Sequence, residues 1–139
     1  MAYCTQADLE DRYRAENLLA LADYDGDGVA DSDVVAKAIA DASYEMDSYL
    51  GKLYAVPITP APECLRRCAT TIAWYYLRLG RESVTEDARN AYEDCVRLLK
   101  EIAAGKVDIG VDPKPTASAA VPGVRYDSQD RLFGRDKAL

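Results

Sequence analysis

Apolar side chains recur at three- and four-residue steps along most of the first hundred residues, and that period predicts helices rather than strands. The clearest run is Val35, Ala38, Ile39, Ala42, Met46, Tyr49, Leu50 and Leu53, one face of a helix over about residues 33–50. A second stripe, Leu65, Cys68, Ala69, Ile72, Tyr76 and Leu79, predicts a helix over residues 63–79 ended by Gly80. Trp74, Tyr75 and Leu77 fall off that stripe, which makes them candidates for a subunit interface, with closure of the core by Trp74 the competing reading. A third stripe, Ala88, Tyr92, Cys95, Leu99 and Ile102, runs to Gly105, with Ser83 and Glu86 as its capping box. Near the N-terminus Thr5 and Asp8 form the same signature and open a short helix to about Tyr13, and residues 16–21 add another turn or two.

Faces of this kind are buried most economically against one another, so the expected fold is all-α, a small four-helix bundle-like domain over residues 1–111. Between the first and second of these long segments lies GKLYAVPITPAP, whose three prolines forbid helix and leave room for a short strand over residues 53–56. From Asp112 onward the pattern stops. Residues 112–139 hold three prolines and many small side chains, the composition of an extended arm. Its large apolar side chains, Val124, Tyr126, Leu132 and Phe133, alternate with Arg125, Arg131 and Arg135 and offer anchors for folding onto a partner. Fully extended, such an arm spans at most roughly 90–100 Å, enough to reach a neighbouring molecule.

Charge and composition narrow the function. The net charge is −7 and the isoelectric point about 4.6, against a protein that grips nucleic acid by neutralising phosphates. The arm carries five basic and four acidic side chains, a net +1, which leaves −8 on residues 1–111. No apolar run approaches a membrane span, and the acidic N-terminus is unlike a signal peptide, so a soluble chain made in the cytosol is expected. Without any histidine, His-dependent acid-base and nucleophilic chemistry and His-containing zinc sites are excluded. The cysteines, Cys4, Cys64, Cys68 and Cys95, lack C-x-x-C spacing and read as packing residues. Ten tyrosines against one phenylalanine suggest half-buried rings with wet hydroxyls.

One stretch carries candidate metal chemistry. In DYDGDGVADSD, residues 23–33, Asp23, Asp25, Asp27 and Asp31 take positions 1, 3, 5 and 9 of a calcium loop, with Gly28 at position 6. Val34 stands at position 12, where a bidentate Glu belongs. The same letters suit a capped polar turn, with Ser32 or Asp33 capping the following helix. A small calcium-binding regulatory protein is therefore the alternative reading of the whole chain.

The succession YCTQADLEDRY, LALADYDGDGVADSDVVAKAIADASYEMDSYL, LYAVPITPAPECLRRCATTIAWYYL and NAYEDCVRLLKEIAAGKVDIGV resembles the Mu-like phage gp36 family across residues 2–111, and RLFGRD in the arm is similar to the family's C-terminal ending. The resemblance implies a head-tail connector, an adaptor or head-completion protein of a tailed bacteriophage, located at the virion neck and made in the host cytoplasm. It implies no enzymatic activity; no cofactor is expected, beyond an incidental Ca2+ at Asp23, Asp25, Asp27 and Asp31. The implied partners are copies of the chain in a ring, dodecameric like the portal, the portal protein itself, and a stopper or tail-terminator. Genomic DNA would pass through without specific binding, eased by inward-facing carboxylates, and no membrane is involved. Arg125, Tyr126, Arg131, Leu132, Phe133 and Arg135 would then be the arm's portal- or neighbour-binding residues.

Overall fold

The computed structural model describes residues 2–115. Five helices follow in order: α1 (Gln6–Tyr13), α2 (Ala15–Ala22), α3 (Ser32–Leu50), α4 (Glu63–Gly80) and α5 (Glu86–Ala103), with no strand among the described residues. The fold is all-α, as the periodicity predicts. The Thr5–Asp8 box forms: Asp8 N–H donates to Thr5 Oγ1 at 3.3 Å and Thr5 N–H to Asp8 Oδ2 at 2.9 Å. Arg14, with φ +76°, breaks the chain between α1 and α2.

The helix α4 is the centre of the bundle. Residues 68–74 are all buried, and α1, α2, α3 and α5 all pack on it. On α3, Val35, Ala38, Ile39, Ala42, Met46 and Leu50 are buried as the stripe requires, while α5 contributes Leu99 and Ile102. The fully buried alanines Ala42, Ala69 and Ala73 keep α3 and α4 slim enough to approach closely. Burial on every side along residues 68–74 departs from the amphipathic pattern, and the expectation for Trp74 and Leu77 changes with it. Thr70 and Thr71 are buried, with the Thr70 hydroxyl donating to the Arg66 carbonyl at 2.8 Å. Trp74 and Leu77, at 6% and 3% exposure, lie in the core rather than on a free face. Leu79, assigned to the buried stripe, is instead 50% exposed.

Termini and connectors bring further corrections. Thr85, not Ser83, caps α5, its hydroxyl accepting from Ala88 N–H at 3.2 Å. Ser83 instead closes α4: its N–H reaches the Arg78 carbonyl at 2.9 Å, and the Arg78 guanidinium donates back to the Ser83 carbonyl at 3.0 Å. Asp31 occupies the N-cap of α3, with no side-chain cap bond, in place of Ser32 or Asp33. The expected strand at residues 53–56 is absent: the N–H groups of Leu53 and Tyr54 return to the Leu50 carbonyl, continuing the last turn of α3, so no ladder can form. Tyr54 and Ile58 from this connector are buried. Lys114, placed in the arm by composition, lies against the body, its N–H donating to the Leu53 carbonyl at 2.9 Å and its ammonium to the Gly51 carbonyl at 2.5 Å.

Candidate functional site

The acidic loop between α2 and α3 folds through its own carboxylates. Asp23 accepts three backbone N–H bonds, from Gly26 at 2.8 Å, Asp27 at 3.2 Å and Gly28 at 3.0 Å. Asp25 accepts from Asp27 N–H at 3.1 Å, Asp27 from Val29 N–H at 2.9 Å, and Asp31 from Tyr24 N–H at 3.0 Å. These bends need left-handed backbone at Gly26 and Gly28, with φ of +77° and +82°. Arg81, just past α4, ties the loop to the bundle: its guanidinium reaches the carbonyls of Leu21 and Asp23 and lies 4.2 Å from the centre of the Tyr24 ring.

One oxygen from each of Asp23, Asp25, Asp27 and Asp31 lies within 4.8 Å of the others, so the four proposed ligands do converge. The electrostatics is unequal within the group. For Asp23, desolvation is outweighed by the N–H bonds from Gly28 and Gly26, the Asp25 side chain and the Asp27 N–H together, which hold its carboxyl below the usual range. Asp25 moves the other way: the Asp27 N–H favours its charged form, but desolvation and the carboxylates of Asp23 and Asp27 push it up overall. Four hard oxygens suit a calcium ion in kind, and a bound divalent cation would relieve this repulsion. In number they fall short, since Val34 at position 12 brings no oxygen.

A second cluster, unforeseen from sequence, lies on the bundle's flank. The Glu45 carboxylate on α3 accepts the hydroxyls of Tyr76 on α4 and Tyr92 on α5, the latter at 2.7 Å. The Tyr75 ring stacks on Tyr92 at 4.3 Å and meets Tyr76 at 6.0 Å. Burial, then the hydrogen bond to Glu45, raises both hydroxyl pKa values well above that of free tyrosine. Both remain neutral donors at physiological pH, and the cluster joins three helices. Tyr3 forms a similar tie, donating to Asp47 at 2.5 Å and accepting from Ile58 N–H at 3.0 Å.

Of the interface candidates, Trp74 stacks on Tyr13 of α1 with ring centres 4.2 Å apart, and Tyr75 is half-buried beside Tyr92. The surface instead offers Tyr24, Val29, Tyr44 and Leu79, all at least half exposed. Tyr24, Val29 and Leu79 gather around the acidic loop: the first two belong to it, and the Tyr24 hydroxyl closes on Gly80, next to Leu79, leaving only 2.9 Å for a side chain there. Arg125, Tyr126, Arg131, Leu132, Phe133 and Arg135 lie outside the described residues. No described helix is long and apolar enough to cross a membrane.

A small all-α body with an acidic loop between α2 and α3 and exposed apolar side chains at Tyr24, Val29 and Leu79 defines the class as a helical module. Residues 3–126 match the family model described as Bacteriophage Mu, Gp36. The chain is 37% identical over 137 residues to gene product J of Escherichia phage Mu, covering 97% of this chain and 96% of that one. It is 34% identical over 102 residues to the Mu-like prophage FluMu protein gp36 of Haemophilus influenzae, covering 73% and 71%. The chain belongs to the Mu gp36 family of phage proteins.

Proposed function

We propose that the chain is the head-tail connector subunit of a Mu-like phage or prophage, a structural protein that catalyses no reaction. Copies form a ring, dodecameric like the portal, at the virion neck below it. The ring receives a stopper or tail-terminator on its far side and lets genomic DNA through the middle. Membership of the Mu gp36 family over almost the whole chain carries this reading. The distribution of charge supports it: −8 on residues 1–111 suits a channel lining that repels phosphate, and the net +1 of residues 112–139 suits an arm reaching a different surface. The exposed Tyr24, Val29 and Leu79 supply one apolar contact patch for a neighbour, a role that the buried Trp74 and Leu77 do not fill. Arg125, Tyr126, Arg131, Leu132, Phe133 and Arg135 would dock the arm on the portal or the adjacent subunit.

The direct test is a phage encoding a chain truncated after residue 115. The bundle should still fold, while incorporation into particles, read by quantitative mass spectrometry of purified virions, should fall severely. Normal incorporation and infectivity would refute the docking role. The convergent carboxylates of the acidic loop favour one second reading, a calcium-binding regulatory protein, and calorimetric titration separates the two.

A further inference from the structure

Three concave surfaces join into one furrow, and it starts where the described chain ends. The first, about 640 Å3, lies between the proline-rich connector and Gly110, Val111 and Asp112. The second, about 310 Å3, shares Ile58, Thr59 and Ala61 with the first and runs along the N-terminal segment past Ala2 and Cys4. The third, about 300 Å3, shares Ala2 and Cys4 with the second and opens onto α3 at Ala36, Ile39, Ala40 and Tyr44. Tyr44 is 68% exposed, more than any other large apolar side chain among the described residues, and the patch of Tyr24, Val29 and Leu79 does not include it.

We propose that in the unassembled subunit the furrow holds the arm of the same chain, with residues 116–123 along its first two parts and Val124 and Tyr126 seated on the α3 end. The length fits. Lys114 is held at the C-terminal end of α3 by its bonds to the carbonyls of Leu53 and Gly51. Ala36 lies about 21 Å back along α3 from Leu50, at the helical rise per residue. Val124 is nine positions beyond residue 115, about 30 Å of extended chain, so it reaches the α3 surface with length to spare.

Shape and charge fit as well. The stretch PTASAAVPG, residues 115–123, has small side chains and two prolines, which suit an extended backbone in a narrow channel. In extended chain Val124 and Tyr126 point to one side and Arg125 to the other, so two apolar anchors meet α3 while the guanidinium stays at the rim. α3 carries Asp33, Asp41, Glu45 and Asp47 against Lys37, a net −3 that favours an arm of net +1. A short tether gives the arm an effective concentration of roughly millimolar at its own furrow, which a second copy in dilute solution does not match. Seated there, the arm is withheld from other molecules, and release on assembly would free it for docking. The latch stands on the furrow; its release on assembly rests on the connector reading.

The test uses full-length protein with p-benzoylphenylalanine in place of Tyr126, irradiated when dilute and without portal. Mass spectrometry of the monomer should find a cross-link within the chain to peptides containing residues 36–44. Ala40→Arg, at a half-exposed position, should abolish that cross-link while the circular dichroism spectrum is kept. Tyr44→Ser should weaken it, and at a position so exposed it leaves the core intact should Ala40→Arg misfold. Cross-links formed only between copies, rising with concentration, would overturn the latch and assign the furrow to a second copy's arm. Cross-links elsewhere on the body, or to residues 36–44 but unchanged in both variants, would also overturn it. Each of these failures leaves the connector reading standing, because no portal takes part; a subunit that never binds portal would sink that reading and leave the latch intact.

Discussion

Replacing Trp74 by alanine distinguishes a core residue from an interface residue. The indole is 6% exposed, stacked on Tyr13 at 4.2 Å with the rings 6° from parallel, and the Arg78 guanidinium lies 5.5 Å from its centre. Truncating a buried tryptophan removes its transfer energy and leaves a cavity, together about 3–5 kcal/mol. The Tyr13 stack accounts for about 0.5–1.5 kcal/mol of that loss. A domain of this size holds roughly 5–15 kcal/mol in all, so the variant stands near the edge of folding. At about 4 °C per kcal/mol, the melting temperature of the dilute protein should drop by roughly 12–20 °C. Thermal and urea unfolding followed by circular dichroism measure this directly, and the urea midpoint should fall with an unchanged slope. A drop under about 3 °C, with self-association lost instead, would refute the core assignment and return Trp74 to a subunit interface.

Other consequences are as specific. Tyr92→Phe and Tyr76→Phe each remove one hydroxyl donor from Glu45 and should cost about 1–2 kcal/mol, with the double variant losing more than the sum because the half-buried carboxylate then has neither; strict additivity in urea unfolding would mean that the three groups do not act together. Asp8→Ala should cost about 1 kcal/mol by removing the capping bond to Thr5 N–H and the 3.0 Å ion pair to Arg66. Although some burial opposes it, the Thr5 and Arg66 bonds lower the Asp8 pKa in the folded state, so this stabilisation is present above the unfolded value of about 3.9 and disappears as pH falls through the lower folded value. The wild-type advantage over Asp8→Ala should therefore persist at pH 6 and vanish toward pH 2, and an advantage growing on acidification would contradict the assignment. Calcium titrated calorimetrically should bind more weakly than the micromolar range, since Val34 replaces the bidentate ligand, and chelation should leave the melting temperature unchanged; micromolar binding with a helix rearrangement would favour the regulatory reading.

The fold was legible where one physical pattern decided it. The α3 stripe from Val35 to Leu50 named its buried face because α3 is covered on one side and wet on the other. The same logic misplaced Trp74 and Leu77, because α4 is buried all round along residues 68–74 and its buried threonines conceal that fact from a hydropathy pattern. Ser83 and Thr85 are both plausible caps by composition, and only the turn that Ser83 makes with Arg78 leaves Thr85 for α5. The acidic loop was visible because its carboxylates are two and four residues apart, so local spacing already implies proximity. The Glu45 cluster was not, since its partners lie 31 and 47 positions away and a tyrosine on a helix looks like ordinary packing.

The connector assignment itself is tested most directly by cryo-electron microscopy of this protein co-purified with the portal protein of the phage that encodes it. The account predicts a ring of twelve copies stacked beneath the portal, acidic side chains lining the channel and residues 116–139 of each copy in contact with the portal or an adjacent subunit. A protein that stays monomeric and never associates with the portal, at any concentration or salt, would contradict it.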